Sequence, residues 1–336
     1  MNPSNADKQP IHPRNALFRG EKPFPVLPAC EHFAGNEKLI GKAFALQQSM
    51  GKVFDITCDC EDGAPAGQEK EHAEMVVRML NSEANAFGMA GARVHDASHL
   101  CWKQDVNIIL TGAGERVSYL TLPKPRGADD VREMTDYIGR VCVELGLARK
   151  IPLHVLIETH GALRDVWEIA TLSGVQVLDL GLLDFISAHH GAIGSEAMRS
   201  PGQFTHPLIC RARAEISAAA LANGCVPSHS ITVDMKNAEQ TYEDALRARK
   251  EFGYLRMYSI YPTQIQPIVD AMKPDFEEVR EAAAILCKAS ALNWAPLQHD
   301  DKLHDRASYR FYWELLRRAR LTGVEIDGEA ERLFFS

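Results

Sequence analysis

The sequence has few of the features that mark membrane, secreted or nucleic-acid-binding proteins. No apolar run approaches the roughly 20 residues that a transmembrane helix needs, so we expect no membrane span. The first 22 residues carry lysine and arginine without a following apolar stretch, and we expect no secretory signal. The net charge is −8 and no stripe of basic residues offsets it, so nucleic acid is not an expected partner.

Several motifs of nucleotide and hydrolase chemistry are also missing. The sequence contains no GxGxxG signature, no P-loop and no G-x-S-x-G elbow, which argues against Rossmann dehydrogenases, NTPases and serine hydrolases. The eight cysteines are scattered and none forms a C-x-x-C pair, so we expect neither a zinc site nor a redox pair. Free buried thiols suit a reducing cytoplasm, which is the expected location.

Alternating strand and helix patterns fill most of the chain. Helical patterns separate eight strand-like segments, which favours an α/β fold with a closed (β/α)₈ TIM barrel and a C-terminal helical extension. We expect residues 185–205 to form a glycine-rich loop above the barrel mouth. The predicted strands cover residues 24–29, 53–61, 92–96, 117–124, 151–158, 175–184, 225–231 and 254–261.

The length of the chain indicates a barrel with two flanking segments. A barrel of this kind takes about 250 residues, and the chain has 336. We predict a flexible N-terminal arm over residues 1–22, a catalytic barrel domain over 23–291 and a helical segment over 292–336. Because the last segment is too short for an independent core, we expect it to act as a lid or an oligomer contact.

Acidic residues follow three of the predicted strands. Asp59 and Glu61 end the second strand, Glu158 ends the fifth, and Asp184 follows Gly181 at the end of the sixth. The carboxyl ends of parallel strands share one face, and ligands bind there. Like charges brought together repel one another unless a cation or water separates them. The pattern therefore predicts that carboxylate oxygens meet at one point.

Glu158 and Asp184 are hard oxygen ligands without a histidine or cysteine at metal-ligand spacing. This combination favours Mg²⁺, which takes one or two carboxylates together with waters and substrate oxygens. A magnesium held here would polarise a 2-oxo or 2-hydroxy carboxylate and stabilise an enolate. For each acid by itself, a strand-end cap or a salt bridge is the alternative.

Two basic residues end neighbouring strands. Arg93, on the third strand, offers a planar fork to a substrate carboxylate. Its alternative is a salt bridge to Asp59 or Glu61, and the two roles are compatible. Lys124, on the fourth strand, can meet a phosphate or a strand-end acid, and we favour the structural role.

The order of these motifs resembles that of a known family. From about residue 24 to residue 320 the chain resembles the HpcH/HpaI aldolase and citrate lyase beta-subunit family, which includes malyl-CoA lyases. The resemblance implies a Mg²⁺-dependent barrel enzyme. The matching segments are Leu27-Pro28, Lys42-Ala43, Asp59-Cys60-Glu61-Asp62, Lys70, Ala92-Arg93-Val94, Pro123-Lys124, Ile157-Glu158-Thr159 and Gly181-Leu182-Leu183-Asp184.

The resemblance implies a reversible Claisen-type cleavage of a 3-hydroxyacyl-CoA of the citryl or malyl type. The products would be an acyl-CoA and an α-keto acid. Glu158 and Asp184 would hold Mg²⁺, and Arg93 would act in catalysis by binding the carboxylate of the keto-acid fragment. The same substrate site would also include Asp59, Glu61, Lys124 and Gly181.

An aspartate on the C-terminal segment of a neighbouring subunit serves as the acid/base in the family. Asp305 lies nearest to that position in this chain, and Asp300 and Asp301 are alternatives. A borrowed residue requires a homo-oligomer, which we expect to be a trimer or a dimer of trimers.

The chain departs from the family in three motifs, one of which is Leu255-Arg256-Met257 in place of a Gly-Lys. It reads Arg93-Val94-His95 where the family usually reads Arg-x-Asn, and Ile260-Tyr261-Pro262 where the family often reads Ile-His-Pro. These changes affect the expected CoA and substrate contacts more than the metal ligands. Two alternatives stay open, a Mg²⁺-dependent aldolase that joins pyruvate to an aldehyde without CoA, and a non-catalytic ligand-binding homologue.

Overall fold

Eight parallel strands close into a barrel in the computed structural model, which describes residues 11–18, 21 and 23–336. Each strand pairs with the next, and the eighth pairs with the first. The closed barrel and its surrounding helices confirm the predicted TIM-barrel fold. The strands are β1 Cys30–Ala34, β2 Phe54–Asp59, β3 Ala90–Arg93, β4 Leu120–Leu122, β5 Leu153–Ile157, β6 Val175–Leu180, β7 Val226–His229 and β8 Arg256–Ser259.

Most of the helices are amphipathic and bury one stripe of apolar residues. The longest in the barrel, α5, buries Val131, Met134 and Ile138, which recur at the spacing of one helical face. No helix within the described residues is long and apolar enough to cross a bilayer. The helices are α1 Pro13–Phe18, α2 Glu37–Met50, α3 Glu69–Asn81, α4 Trp102–Ala113, α5 Ala128–Glu144, α6 His160–Arg164, α7 Val166–Thr171, α8 Leu182–Ser187, α9 Pro207–Ala222, α10 Ala238–Phe252, α11 Ile265–Met272, α12 Phe276–Ala291, α13 Arg306–Thr322 and α14 Gly328–Phe334.

Contacts divide the chain into two compact units. The barrel unit covers Leu27–Met272, contains β1–β8 and α2–α11, and has its own apolar core. The second unit combines the described part of residues 1–26 with Lys273–Ser336. Helix α12 belongs to this second unit because its apolar face is buried with residues of α13. The contacts therefore divide the chain after residue 272.

The second unit is built from α1, α12, α13, α14 and an antiparallel hairpin of β9 Leu297–His299 and β10 Lys302–His304. Leu17 of α1 is buried in its core, and Trp294 donates through Nε1 to the carbonyl oxygen of Ile11 at 2.8 Å. Part of the expected N-terminal arm, comprising residues 1–10, 19, 20 and 22, lies outside the described residues.

The predicted first strand over residues 24–29 is wrong, and β1 follows directly after it. Pro25 and Pro28 lack the N–H groups that a central strand donates to its neighbours. The true strand pairs with β2 on one side and β8 on the other. It was missed because it contains Glu31 and His32, whose polarity hides the fact that both are buried.

The barrel mouth also differs from the predicted boundaries. β6 ends at Leu180, and Asp184 lies in the first turn of α8 instead of on a strand. Residues 185–205 are not one loop, since α8 occupies its start and two short 3₁₀ turns follow at Ser195–Met198 and Gly202–Phe204. Asp184 therefore belongs to α8, and Gly181 separates this helix from β6.

Candidate active site at the barrel mouth

The carboxyl ends of β2, β3 and β5 and the start of α8 position the predicted acids and Arg93. Arg93 ends β3 and lies opposite Asp59 in the strand register. Glu158 follows directly after β5, and Asp184 is in the first turn of α8. Because the strands are parallel, these side chains are brought to the same end of the barrel.

Asp59 holds the guanidinium of Arg93 in one orientation. Nε and Nη2 of Arg93 donate to the two oxygens of Asp59 at 2.7 and 2.6 Å. The same carboxylate accepts the backbone N–H groups of Glu61 and Gly63 at 3.0 and 2.8 Å. A carboxylate has about four lone-pair sites, so these donors satisfy it. Asp59 therefore positions Arg93 and has little capacity left for a substrate.

Glu61 lies between two cations. Its Oε2 is 3.0 Å from Nη1 of Arg93, and its Oε1 accepts from Nζ of Lys124 at 2.6 Å. Lys124 also donates to both oxygens of Asp62 at 2.8 and 2.7 Å and lies 3.8 Å from Oδ1 of Asp184. Burial opposes the charge of Lys124, but these acids raise the pKa of its ammonium group. The salt bridges considered as alternatives for Arg93 and Lys124 are therefore present.

Glu158 is buried against Gly181. Its Oε1 accepts the backbone N–H of Lys124 at 2.8 Å. A Cβ atom at position 181 would lie 2.1 Å from Oε2 of Glu158, so glycine is needed there for space. Burial, with a further contribution from the charge of Asp184, raises the pKa of Glu158 to about 8. An additional cation nearby would therefore favour ionisation of this carboxyl at neutral pH.

The Glu158 and Asp184 pair is chemically suited to a hard divalent cation. The side chain of Asp184 is 44% exposed, whereas Glu158 is buried. An ion between them would therefore keep water on its open side. Mg²⁺ binds in this way, through one or two carboxylates and several waters. A dication would also favour the ionised form of Glu158 and reverse the effect of burial.

The predicted acid/base residues belong to the second unit. Asp305 is the N-cap residue of α13, where its Oδ1 accepts the N–H of Ala307 at 2.9 Å. Asp300 and Asp301 occupy the turn between β9 and β10, with φ angles of 46° and 59° and exposed side chains. Asp305 thus has a local structural function, and its catalytic role stays a prediction.

The barrel strands carry a second group of charged and polar residues, which is buried. We call Glu31, Asp55, His154, Asp179 and Arg256 the buried polar layer, since none is more than 4% exposed. Nη2 of Arg256 donates to Glu31 at 3.0 Å and to Asp55 at 2.6 Å. Nδ1 of His154 lies 3.2 Å from Glu31. Each member comes from a different strand, so no local sequence pattern reveals the layer.

Arg256 supplies the cation of the buried polar layer. Glu31, His154 and Asp179 offer ligand atoms within 4.8 Å of one another, a spacing that a metal could use. Burial acts to raise the pKa of Glu31, but His154 and Arg256 lower it to about 2. Burial raises the pKa of Asp179 well above its ordinary value, which favours the neutral form of this carboxyl. We therefore interpret the layer as structural.

His95 and Asp105 form a hydrogen-bonded pair at the mouth, and the sequence alone did not indicate that they meet. Oδ2 of Asp105 lies 2.6 Å from Nδ1 of His95. The signal for His95 is its position two residues after Arg93, which places both side chains on one face of an extended chain. Asp105 gives no such signal, because its approach depends on the fold of the segment between β3 and α4.

Comparison with known proteins identifies close relatives of this barrel. A family model described as HpcH/HpaI aldolase/citrate lyase matches residues 42–254. The crystal structure of a citrate lyase from Burkholderia xenovorans LB400 has a TM-score of 0.85 and 50% sequence identity. That alignment covers 96% of this chain and 100% of the other.

More distant relatives align with most of the chain. The L-malyl-CoA/beta-methylmalyl-CoA lyase of Rhodobacter capsulatus is 25% identical over 321 residues, which cover 91% of this chain and 99% of that protein. Protein CitE of Mycobacterium tuberculosis, solved with magnesium, acetoacetate and coenzyme A, has a TM-score of 0.66 at 19% identity, over 88% of this chain and 99% of the other. The chain therefore belongs to the HpcH/HpaI aldolase/citrate lyase family and is a carbon–carbon lyase.

Proposed function

We propose that this lyase depends on Mg²⁺ and cleaves a 3-hydroxyacyl-CoA of the citryl or malyl type to an acyl-CoA and an α-keto acid. One observation carries the proposal: a fixed guanidinium, Arg93, shares the barrel mouth with two acids suited to a metal, Glu158 and Asp184. An α-keto acid presents a carboxylate and an adjacent carbonyl oxygen, which match these two kinds of group. Similarity to citrate and malyl-CoA lyases supports a CoA ester as substrate.

Arg93 would bind the carboxylate of the keto-acid fragment. Contacts with Asp59 and Glu61 engage Nε, Nη2 and Nη1 of Arg93, which leaves one further N–H on each terminal nitrogen. These N–H groups can donate to a carboxylate together. Because the guanidinium is already fixed, binding would order few additional side-chain torsions.

Glu158 and Asp184 would hold the Mg²⁺ ion. When bound, the metal would polarise the oxygen on the reacting carbon and stabilise negative charge on it. The protein contributes the fixed positions of these ligands, since the backbone N–H of Lys124 orients Glu158 and Gly181 leaves space beside it. Lys124 and Glu61 would complete the wall of the substrate site through their own ion pair.

We further propose that Asp305 of the partner subunit transfers a proton to the enolate carbon of the acyl-CoA. This arrangement requires a homo-oligomer such as a trimer or a hexamer. The reducing cytoplasm is the proposed location, because the sequence has eight scattered cysteines without a C-x-x-C pair.

The test is cleavage of citryl-CoA, malyl-CoA and methylmalyl-CoA with Mg²⁺ and with a chelator. We expect one of these thioesters to be cleaved, and the chelator to stop the reaction. Asp184→Asn should abolish both Mg²⁺ binding and turnover. Asp136→Asn, which changes an exposed acid on α5, is the matched control and should retain both.

Full turnover by Asp184→Asn would contradict the metal assignment. If no thioester is cleaved, the pyruvate aldolase alternative becomes the better account, and pyruvate with short aldehydes is then the substrate panel. A non-catalytic role is the weakest alternative, since the family assignment makes the chain a lyase.

A further inference from the structure

His95 extends the row of side chains that begins with Arg93. The backbone between them still pairs with β4, because the N–H of Val94 donates to the carbonyl oxygen of Thr121 at 3.2 Å. Side chains alternate in such a segment, so His95 projects on the same side as Arg93 and one step closer to the mouth. Its side chain is 11% exposed, which leaves part of the ring accessible.

Asp105 fixes the ring of His95. Asp105 lies in the first turn of α4 and is fully buried. Its Oδ2 accepts the backbone N–H of His95 at 3.0 Å and lies 2.6 Å from Nδ1 of the same residue. Since a carboxylate accepts hydrogen bonds, Nδ1 carries the proton and Nε2 keeps its lone pair. Nε2 accepts no hydrogen bond from any residue that the structure describes.

The surroundings of His95 make the ring a stronger base. The imidazole of His99 stacks on it, with ring centroids 4.0 Å apart. Burial acts to lower the pKa of His95, but the hydrogen bond and charge of Asp105, together with the charges of Glu61 and Glu69, raise it above the ordinary value. The ring of His95 is therefore stacked on that of His99, and the charges of three acids, Asp105, Glu61 and Glu69, act on it.

Four other polar side chains at the mouth have observed or proposed partners. Arg93 is engaged by acids on two sides, and Lys124 forms ion pairs with the acids after β2. Glu158 and Asp184 are the proposed metal ligands. His95 differs from all four because it combines a fixed ring with a basic nitrogen that none of the described residues occupies.

We propose that His95, held by Asp105, is the group that takes the hydroxyl proton of the 3-hydroxyacyl-CoA during cleavage. This role rests on the proposed function and deepens it, because it assigns the first of two proton transfers to a residue of the same chain. His95 would be a catalytic residue and Asp105 a positioning residue.

The proton and electron balance of the step is closed. Nε2 accepts the proton of the C3 hydroxyl, and the electron pair of the broken O–H bond forms the carbonyl of the α-keto acid. The C2–C3 bond breaks, and its electron pair becomes the enolate of the acyl-CoA. Asp305 of the partner subunit then protonates C2. His95 then releases its proton to water, and Asp305 takes up a proton from water. No further reactant is needed.

The test separates the two proton transfers by comparing cleavage with carbon-bound exchange. Cleavage is measured on the thioester that the wild type turns over. Exchange is measured as deuterium uptake from D₂O into the C2 position of acetyl-CoA or propionyl-CoA with Mg²⁺. His95→Gln, which removes the basic nitrogen without installing the asparagine usual in the family, should lower kcat for cleavage by about 100-fold or more and leave exchange within about threefold of the wild type. Asp305→Asn should stop the exchange.

Two further variants distinguish a catalytic role from a structural one. His99→Asn alters the ring stacked on His95 and should retain cleavage within about threefold. Asp105→Asn removes the carboxylate that raises the pKa of His95. Because the base must be unprotonated to act, the acid limb of the kcat/KM profile should move to lower pH in Asp105→Asn, and its plateau should fall.

Cleavage by His95→Gln at the wild-type rate would overturn the proposal. Loss of cleavage and exchange together, with a lowered Tm, would also overturn it, because that result indicates a structural role. An unshifted acid limb in Asp105→Asn would remove the positioning role of Asp105. If the wild-type protein cleaves no thioester, the proposed function is wrong. The assignment of the proton to His95 rests on that function and is then wrong as well.

Discussion

Gly181 shows how one missing side chain shapes the site. An added Cβ would lie 2.1 Å from Oε2 and 2.4 Å from Cβ of Glu158. We expect Gly181→Ala to displace Glu158, to weaken Mg²⁺ binding by about tenfold or more and to destabilise the protein by about 1–3 kcal/mol through overpacking. Calorimetric titration with Mg²⁺ and thermal unfolding measure these effects.

The matched control is Gly139→Ala. Gly139 lies inside α5, and a Cβ built there has no heavy atom within 4 Å. Alanine favours a helix interior over glycine, so this variant should gain up to about 1 kcal/mol of stability and bind Mg²⁺ normally. Wild-type Mg²⁺ affinity in Gly181→Ala would show that Glu158 is not a ligand.

Glu158 also makes Mg²⁺ binding dependent on pH. Burial raises its pKa to about 8 in the metal-free protein. Below that pH the carboxyl is protonated, and the proton must leave before a metal binds. As the pH rises towards 8, the apparent affinity for Mg²⁺ should therefore increase by up to about tenfold per pH unit. Above pH 8 it should level off.

Titration calorimetry in buffers of different ionisation enthalpy measures this coupling directly. About one proton should be released per Mg²⁺ bound at pH 6.5, and much less at pH 9. Glu158→Gln should bind more weakly and release no such proton. An affinity that does not change between these pH values would contradict the role of Glu158.

At the scale of single elements, substitutions at the N-cap of α13 can test whether Asp305 has more than a structural role. Its side chain caps the helix through the N–H of Ala307. Asparagine caps a helix nearly as well as aspartate, whereas alanine costs about 1 kcal/mol. We expect Asp305→Ala to lower stability by that amount and Asp305→Asn by less, while both lose turnover to the same extent.

Asp327→Ala provides the control for capping. Asp327 caps α14 in the same unit, where its Oδ1 accepts the N–H of Glu329 at 2.8 Å. This variant should lose a similar stability, as unfolding by denaturant would show, and keep its turnover. If Asp305→Asn is fully active, the acid/base must be sought at Asp300 or Asp301.

The elements also show which features a sequence can predict. The alternation of strand and helix patterns was sufficient for the barrel, because parallel strands buried on both faces leave a recognisable apolar signal. β1 was missed because Glu31 is neutralised by Arg256, more than 200 positions away in the chain. A charge that is compensated over such a distance has no local pattern. Asp105 is only ten positions from His95, but its approach depends on the fold of the segment between β3 and α4, which no local pattern describes.

At the scale of the whole molecule, the proposed machinery is divided between two compact units. The barrel unit contains Arg93, Glu158 and Asp184, and the second unit contains Asp305. The ends of the barrel strands were predictable, because parallel topology alone brings them together. Pattern and spacing could not predict the proposed source of the acid/base, because assembly depends on complementary surfaces that they do not describe.

Mixed oligomers test the sharing of a site between subunits. Asp184→Asn and Asp305→Asn should each be inactive when alone. In a co-expressed mixture, an Asp305→Asn barrel can receive the intact aspartate of an Asp184→Asn neighbour. Random assembly at equal amounts should then restore about a quarter of the wild-type activity. Light scattering establishes that the species is an oligomer, and differential tags establish that it is mixed.

The control mixture combines Asp184→Asn with Glu158→Gln. Both changes lie in the barrel unit, so no arrangement of these subunits contains both metal ligands in one barrel, and activity should stay absent. Recovery of activity in this control mixture would mean that complementation between subunits does not depend on Asp305. No recovery in verified mixed oligomers of the first pair, or a monomer by light scattering, would contradict a borrowed residue. The acid/base would then have to come from the same chain as the metal ligands.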